Sequence, residues 1–504
     1  MSQTAKQTDE RNSSLDIDDE RLRDLAAKFV TTVNDYFARV ADARVFPEVT
    51  GQQLRDTFAV PPPLAPEPLE KIIRDCDAVI AGSRHNGHPR FFGYVASPAT
   101  PAGAFADLLA SALNATVTSW RSSPAPTEVE RTVVRWLGSL IGFDEQAQGL
   151  LTSGGSMANL TALLIAHRVK ADAPVARTGV RGTSSPMTIY ASDQVHLSIA
   201  KAADILGLGQ DHVRLLPSDD RFCLDTRALR DAIESDRCRG LKPFCVIGSA
   251  GTAATGAIDS LAEIARVARE NDLWFHIDGA YGAPAAMTAN YRSMFAGLEL
   301  ADSISLDPHK WLYTPVDCGC LLFHDAAAAR QAFVTDADYI RVHELAEIES
   351  FAFWDYGIEL SRRFRALKVW LTLKYYGAAR LMAAIRDDIA MAHYLAERVQ
   401  ADPQFELLAP VQLSICCFRY VPARLRSQLE NEGREQSNTE LNRLNERIMQ
   451  RVQRGGRAYL SSAMLRGQFA LRACIINFRT TRADIDLTLA VVRDAAREIE
   501  DESN

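Results

Sequence analysis

Residues 273–280, LWFHIDGA, are a run of apolar and aromatic side chains that closes on an aspartate and a glycine. The run is too short for a helix and apolar at successive positions. It therefore predicts a strand buried on both faces, as in a parallel sheet covered by helices. Four further runs read the same way: MTIYAS (187–192), FCVIGSAG (244–251), SISLDPH (303–309) and GCLLFHD (319–325). Helical periodicity lies between and before them, at Ser260 to Asn271, Pro101 to Leu113, Pro126 to Ile141 and Ser156 to Arg168. This alternation predicts an α/β architecture with a mostly parallel central sheet over residues 101–394. Such sheets bind ligands at the carboxyl ends of their strands.

Toward the N-terminus the pattern changes. Residues 1–15 hold almost nothing to bury and are expected to form a disordered tail. Leu22, Leu25, Phe29, Val33 and Phe37 recur at three- and four-residue steps, so residues 16–100 are expected to be a largely helical segment. Five prolines between Pro61 and Pro68 make a stiff connector, a second helix begins near Pro68, and the segment ends at the polar loop SRHNGHPRFFGY. Toward the C-terminus, the strand-like runs LSICCFRYV and FALRACIINF bracket helices in another order, which predicts a small α+β domain over residues 395–504.

With 504 residues, 47% of them hydrophobic and 24% charged, the chain can bury a large core. A formal net charge of −8 argues against nucleic acid and against an anionic membrane surface as partners. Nine cysteines without a CxxC pair argue against a disulfide framework or a zinc site and fit a reducing compartment. Cys318 and Cys320 alternate along an expected strand and read as packing. The first residues lack the apolar core of a signal peptide and no later run is long enough to span a bilayer, so a cytoplasmic protein without a metal is expected.

Four features at strand or helix ends carry chemistry. Lys310 follows the run SISLDPH between His309 and Trp311, where a low dielectric would favour a neutral, imine-forming amine. Asp278 ends LWFHID and is either a turn cap or a carboxylate aimed at a ligand. TSGGSMANL (152–160) places a glycine pair at a helix start, where unpaired N–H groups attract anions. His196, after MTIYAS, is either a satisfied surface residue or a planar ring over a ligand. A lysine for an aldehyde, a carboxylate for a pyridine nitrogen, a plane for the ring and a nest for phosphate are the four demands of pyridoxal phosphate.

The order of these segments resembles the aromatic-amino-acid decarboxylases among the group II pyridoxal-phosphate decarboxylases. The most specific stretches are DPHKW (307–311), HIDGAYG (276–282), SDQVHLSIAKAADILG (192–207), SWRSSPAPTEVE (119–130) and LSRRFRALKVW (360–370). The resemblance implies the type I, aspartate-aminotransferase-like fold, with the cofactor on the large domain. It implies that Lys310 forms the imine, Asp278 pairs with the pyridine nitrogen and His196 stacks on the ring and meets the substrate. Gly155 and Ser156 then hold the phosphate, Asp307 and His309 line the pocket, and Arg472 in FALRAC helps to tie down the phosphate site. Ser97 falls where relatives place a threonine near the substrate carboxylate. Ala253 replaces a usual hydroxyl residue, for which neighbouring Thr252 compensates.

Tyr339 lies on a long, poorly periodic stretch expected to act as a lid. By resemblance this tyrosine protonates the α-carbon after carbon dioxide leaves, whereas relatives with phenylalanine there make aldehydes. Ser361 falls where plant relatives with serine favour phenolic rings. The resemblance thus implies decarboxylation of tyrosine, DOPA, phenylalanine or tryptophan by a homodimer whose active sites lie at the subunit interface. The competing expectations are a decarboxylase of glutamate or diaminobutyrate, an aldehyde-forming enzyme, and an inactive binding module that keeps the fold.

Overall fold

The computed structural model describes residues 15–333, 349–426 and 434–502. Its centre is a seven-stranded sheet built from β2 (Gln148–Thr152), β3 (Met187–Ser192), β4 (Val213–Leu216), β5 (Lys242–Ser249), β6 (Trp274–Asp278), β7 (Ser303–Leu306) and β8 (Gly319–Phe323), in the order β2-β8-β7-β6-β5-β3-β4. The neighbours from β7 to β4 pair in parallel, and β8 runs antiparallel to both β7 and β2. Every residue of β3, β6, β7 and β8 is buried, as the unbroken apolar runs require of strands covered on both faces.

The covering helices show why these segments coil. Helix Leu261–Glu270 buries Leu261, Ile264, Ala265, Val267 and Ala268, a three- and four-residue rhythm that turns one stripe to the sheet. Each fully buried leucine or isoleucine there contributes roughly 1.5–3 kcal/mol. Helix Pro101–Leu113 begins at Pro101, after Thr100 caps the Gly103 N–H, and ends at left-handed Asn114. Helix Pro124–Ile141 starts two residues earlier than the expected Pro126, because Pro124 takes the first helical position, where no N–H is needed.

A second sheet has the order β1-β11-β12-β10-β9, with β1 (Phe91–Phe92), β9 (Phe405–Leu407), β10 (Ile415–Tyr420), β11 (Tyr459–Leu465) and β12 (Gln468–Cys474). Its own apolar core includes Phe92, Leu395, Phe418, Leu460, Leu471 and Val492. Within SRHNGHPRFFGY, the loop expected to end the first segment, Phe91 and Phe92 pair in parallel with Tyr459 and Leu460 and join this second sheet. Helix Ala378–Gln400 runs through residue 395 without interruption.

Several elements differ from the sequence reading. Helix Gly51–Phe58, closed by a Thr50–Gln53 capping box, and the short strands β2 and β4 were not anticipated. The runs 244–251 and 303–309 leave the sheet at Ser249 and Leu306, and Pro308 opens a one-turn helix, Pro308–Trp311, that carries Lys310. In LSRRFRALKVW the helix begins only at Ala366, and Arg362 ahead of it is buried. Among the described residues no helix is long and apolar enough to cross a membrane. The expected tail lies outside the described residues apart from Leu15.

Candidate active site

The carboxyl ends of β2, β3, β5, β6 and β7 point to the same edge of the central sheet, and a cavity of about 890 Å³ opens there against the second sheet. Lys310 reaches it from the one-turn helix after β7, with its side chain 21% exposed and Nζ 3.0 Å from Asp307 Oδ2. Asp307 is buried, and its Oδ1 has no hydrogen-bond partner in the protein. His309 Nδ1 accepts the Cys318 N–H at 3.0 Å, and burial holds the imidazole below its ordinary value.

Asp278, the last residue of β6, is almost fully buried. Its Oδ2 accepts from Asn159 Nδ2 at 3.0 Å, and its Oδ1 accepts from the Ser305 hydroxyl at 3.3 Å and the Ala280 N–H at 3.2 Å. His196 lines the same cavity four residues after β3, its Nδ1 2.8 Å from Ser198 Oγ. Burial lowers its proton affinity, opposed in part by Asp278.

Gly154 and Gly155 stand where β2 gives way to helix Gly155–Lys170, whose first N–H groups have no side-chain cap. A Cβ on Gly155 would lie 2.8 Å from the Ala280 methyl and 3.0 Å from Asp307 Oδ2, so only glycine fits. Ser156 is exposed to the cavity. Across from the nest, Arg472 of β12 donates from Nε to Ala254 O at 3.0 Å and from Nη1 to Tyr94 O at 2.8 Å, while its buried Nη2 has no partner. An unpaired guanidinium nitrogen and an uncapped helix start on one cavity make a site for an anion. Together with a reachable amine and a buried carboxylate, these residues fit pyridoxal phosphate.

Three of the expected residues have different surroundings. Thr252 and Ala253 line the cavity, but the Thr252 hydroxyl is engaged within its own loop, 3.0 Å from Thr255 Oγ1 and accepting the Ala257 N–H at 3.1 Å. Ser97 donates to the His309 carbonyl at 3.0 Å and borders a separate hollow with Arg84 and Arg479. Ser361 is exposed and does not line the cavity of its own chain. Tyr339 lies outside the described residues.

The sequence reading missed Asn159, Ser198 and His276, which pack behind Asp278 and His196 and are all fully buried. A signal for His276 existed: two residues before Asp278 on a strand, it must face the same side. Asn159 sits one helical turn beyond Gly155, on the face that meets the strands. Among the described residues no cluster of three or more His, Cys, Asp or Glu side chains is placed to hold a metal ion.

Residues 52–421 match the model of the pyridoxal-dependent decarboxylase conserved domain. The chain is 34% identical to an aromatic-L-amino-acid decarboxylase of Bacillus atrophaeus, over 97% of this chain and 98% of that protein. It is 32% identical to a phenylacetaldehyde synthase of Petunia hybrida, over 95% of each. A crystal structure of Oryza sativa TDC with PLP and tryptamine superposes with a TM-score of 0.86 at 27% identity, covering 97% of this chain and all (100%) of that one. With this cavity and these likenesses, the chain belongs to the pyridoxal-dependent decarboxylases, carboxy-lyases that work with pyridoxal phosphate.

Proposed function

We propose that the chain removes the α-carboxylate of an aromatic L-amino acid and releases the corresponding amine. The observation that carries this reading is the convergence of Lys310, Asp278 and His196 on one cavity beside the Gly154–Gly155 nest. The aromatic class is supported by the Bacillus relative, aligned over nearly the whole of both chains.

In this reading Lys310 would hold the cofactor through its aldehyde. Asp278 keeps a proton on the pyridine nitrogen, His196 offers its plane to the ring, and Gly155, Ser156 and Arg472 bind the phosphate. Pyridoxal phosphate, when bound, supplies an electron-withdrawing ring that accepts the electrons left as carbon dioxide departs. Asp307 and His309 shape the wall beside Lys310, Thr252 supports it from the β5 loop, and Ser97 steadies the segment through the His309 carbonyl. Tyr339 is the proposed donor of the proton to the α-carbon.

A homodimer with active sites at the subunit interface is part of the proposal. Helices Asp19–Arg39, Gly51–Phe58 and Leu69–Ala81 bury no residue within the chain, and Leu22 and Val79 are each 51% exposed. Such stripes need a partner to cover them. Residues 16–100 then form the dimerisation arm, residues 101–394 the cofactor domain and residues 395–504 the small domain. Ser361 meets substrate in the partner's cavity. A cytoplasmic location is consistent with nine free thiols.

Incubating the purified chain and cofactor with each common amino acid and DOPA, while quantifying amine, carbon dioxide, ammonia and hydrogen peroxide, tests the proposal. Amine and carbon dioxide in equal amounts from an aromatic substrate are expected. The Petunia relative favours one second reading, aldehyde formation, which ammonia and peroxide in place of amine would establish. Turnover of glutamate or diaminobutyrate alone would overturn the aromatic class.

A further inference from the structure

Behind the cavity runs a chain of buried hydrogen bonds that one consistent set of donors and acceptors satisfies throughout. The Trp274 indole can only donate, and it donates to Ser303 Oγ at 2.9 Å. The Ser303 hydroxyl proton is therefore free for His276 Nδ1, also 2.9 Å away. Burial keeps His276 neutral, holding its pKa down at about 4. A neutral ring that accepts at Nδ1 carries its proton on Nε2, which faces Asn159 Oδ1 at 3.0 Å. This orients the amide, and both Asn159 Nδ2 protons are then directed: one to Asp278 Oδ2 at 3.0 Å, the other to Ser198 Oγ at 2.9 Å. Ser198 Oγ, accepting there, donates to His196 Nδ1 at 2.8 Å, and the Ser198 N–H reaches the same nitrogen at 3.3 Å.

We infer that Asn159 is a positioning residue that fixes two cofactor contacts at once, presenting Asp278 as a hydrogen-bond acceptor and His196 as the tautomer protonated on Nε2. This rests on the reading of Asp278 and His196 as the groups that meet the pyridine nitrogen and the ring face. His196 Nδ1, with its one lone pair, already faces the Ser198 hydroxyl and the Ser198 N–H, so the neutral ring carries its proton on Nε2. His196 therefore offers the cavity an N–H, and its role begins as that of a donor.

Two variants separate the branches. Asn159→Asp keeps the shape but places an acceptor where Asp278 and Ser198 both need a donor. Ser198→Ala cuts only the His196 branch. In the full-length chain without cofactor, the imidazole ¹⁵N signals of His196, assigned by their loss in His196→Gln, are expected to show protonated Nε2 and bare Nδ1. Ser198→Ala removes the hydroxyl but keeps the backbone N–H on Nδ1, so it shifts these signals part of the way toward the Nδ1-protonated tautomer and lowers pyridoxal phosphate affinity less than Asn159→Asp does. Asn159→Asp lowers that affinity at least about tenfold, the scale on which outer partners act, and shifts the absorbance of the bound cofactor. A parent His196 protonated on Nδ1 would overturn the inference, as would an Asn159→Asp chain with unchanged affinity and absorbance. Should Asn159→Asp not fold, the parent and Ser198→Ala tautomers decide. A parent chain that binds no pyridoxal phosphate would sink the functional reading instead, and the His196 signals of that same chain would still judge the hydrogen-bond relay.

Discussion

Glu130 and Arg362, 232 residues apart in the sequence, form an ion pair in the interior with neither side chain more than 1% exposed. Glu130 Oε1 also accepts the Leu151 N–H at 2.9 Å, while Arg362 donates to Leu151 O at 2.8 Å and to Val117 O at 2.9 Å. The guanidinium lies 4.1 Å from the centre of the Phe353 ring. Between them the two residues clamp both backbone groups of Leu151, three residues before Gly154. SWRSSPAPTEVE and LSRRFRALKVW thus meet in holding the strand that leads into the Gly154–Gly155 turn.

Arg362→Met is expected to destabilise the fold by about 3–5 kcal/mol, because it leaves Glu130 charged and unpaired in the interior. Arg362→Lys should rescue little, since an ammonium cannot serve three acceptors in the plane of a guanidinium. Thermal unfolding of both variants beside Glu130→Gln/Arg362→Met measures this. The double variant should be more stable than Arg362→Met alone, and equal stability of the parent and Arg362→Met would refute the clamp.

Lys310→Ala should abolish the pyridoxyl label that borohydride reduction leaves on the parent chain, with peptide mapping locating the label at Lys310. Asp278→Asn should retain the label but lose at least about a hundredfold in turnover, the order expected for removing one preorganised electrostatic contact. A label on any other lysine of the parent would overturn the assignment.

Asp388 accepts from Trp311 Nε1 at 2.9 Å, Tyr313 OH at 2.7 Å and the Asn477 N–H at 3.2 Å, tying the segment after Lys310 to the strand end beyond β12. Burial outweighs these donors and pushes its carboxyl up to about 7. The folded chain then binds this proton more tightly than the unfolded chain, so stability falls as pH rises from about 4 to about 7 and levels off above. Asp388→Asn should flatten that part of a melting-temperature profile, and an unchanged slope would count against it.

Only Cys238, which is exposed, and the half-buried Cys76 should react readily with an alkylating reagent in the folded chain. The other seven thiols are buried, and burial pushes Cys417 up to about 12 and Cys223 up to about 11, far from the reactive thiolate. Mass spectrometry of the alkylated native protein should find adducts at those two positions, and early modification of Cys318 or Cys320 would contradict the strand packing.

Much of this molecule was legible in its sequence because the relevant physics is local. A strand covered on both faces must be apolar at successive positions, and LWFHID, SISL and MTIYAS are. A chain that leaves such a strand turns at small or polar residues, which puts Asp278, Lys310, His196 and Gly155 at or near element ends. Strand β4, with half-exposed Arg214 and exposed Leu215, carries no such signature, and the two residues of β1 are too few to show one.

What the tertiary structure alone decided are relationships whose partners lie far apart in the chain. The register that sets His276 opposite Ser303 and Asp278 opposite Ser305 aligns the hydrogen bonds behind the cavity, and Asn159 enters it from a helix more than a hundred residues earlier. Arg362 meets Glu130 and Arg472 faces the nest only after two sheets have formed and packed. Ser97 and Ser361 stand outside the cavity for the same reason. Periodicity reports which side of its own element a residue occupies, but which residue of another element it meets depends on strand order, register and packing, and those are properties of the whole fold.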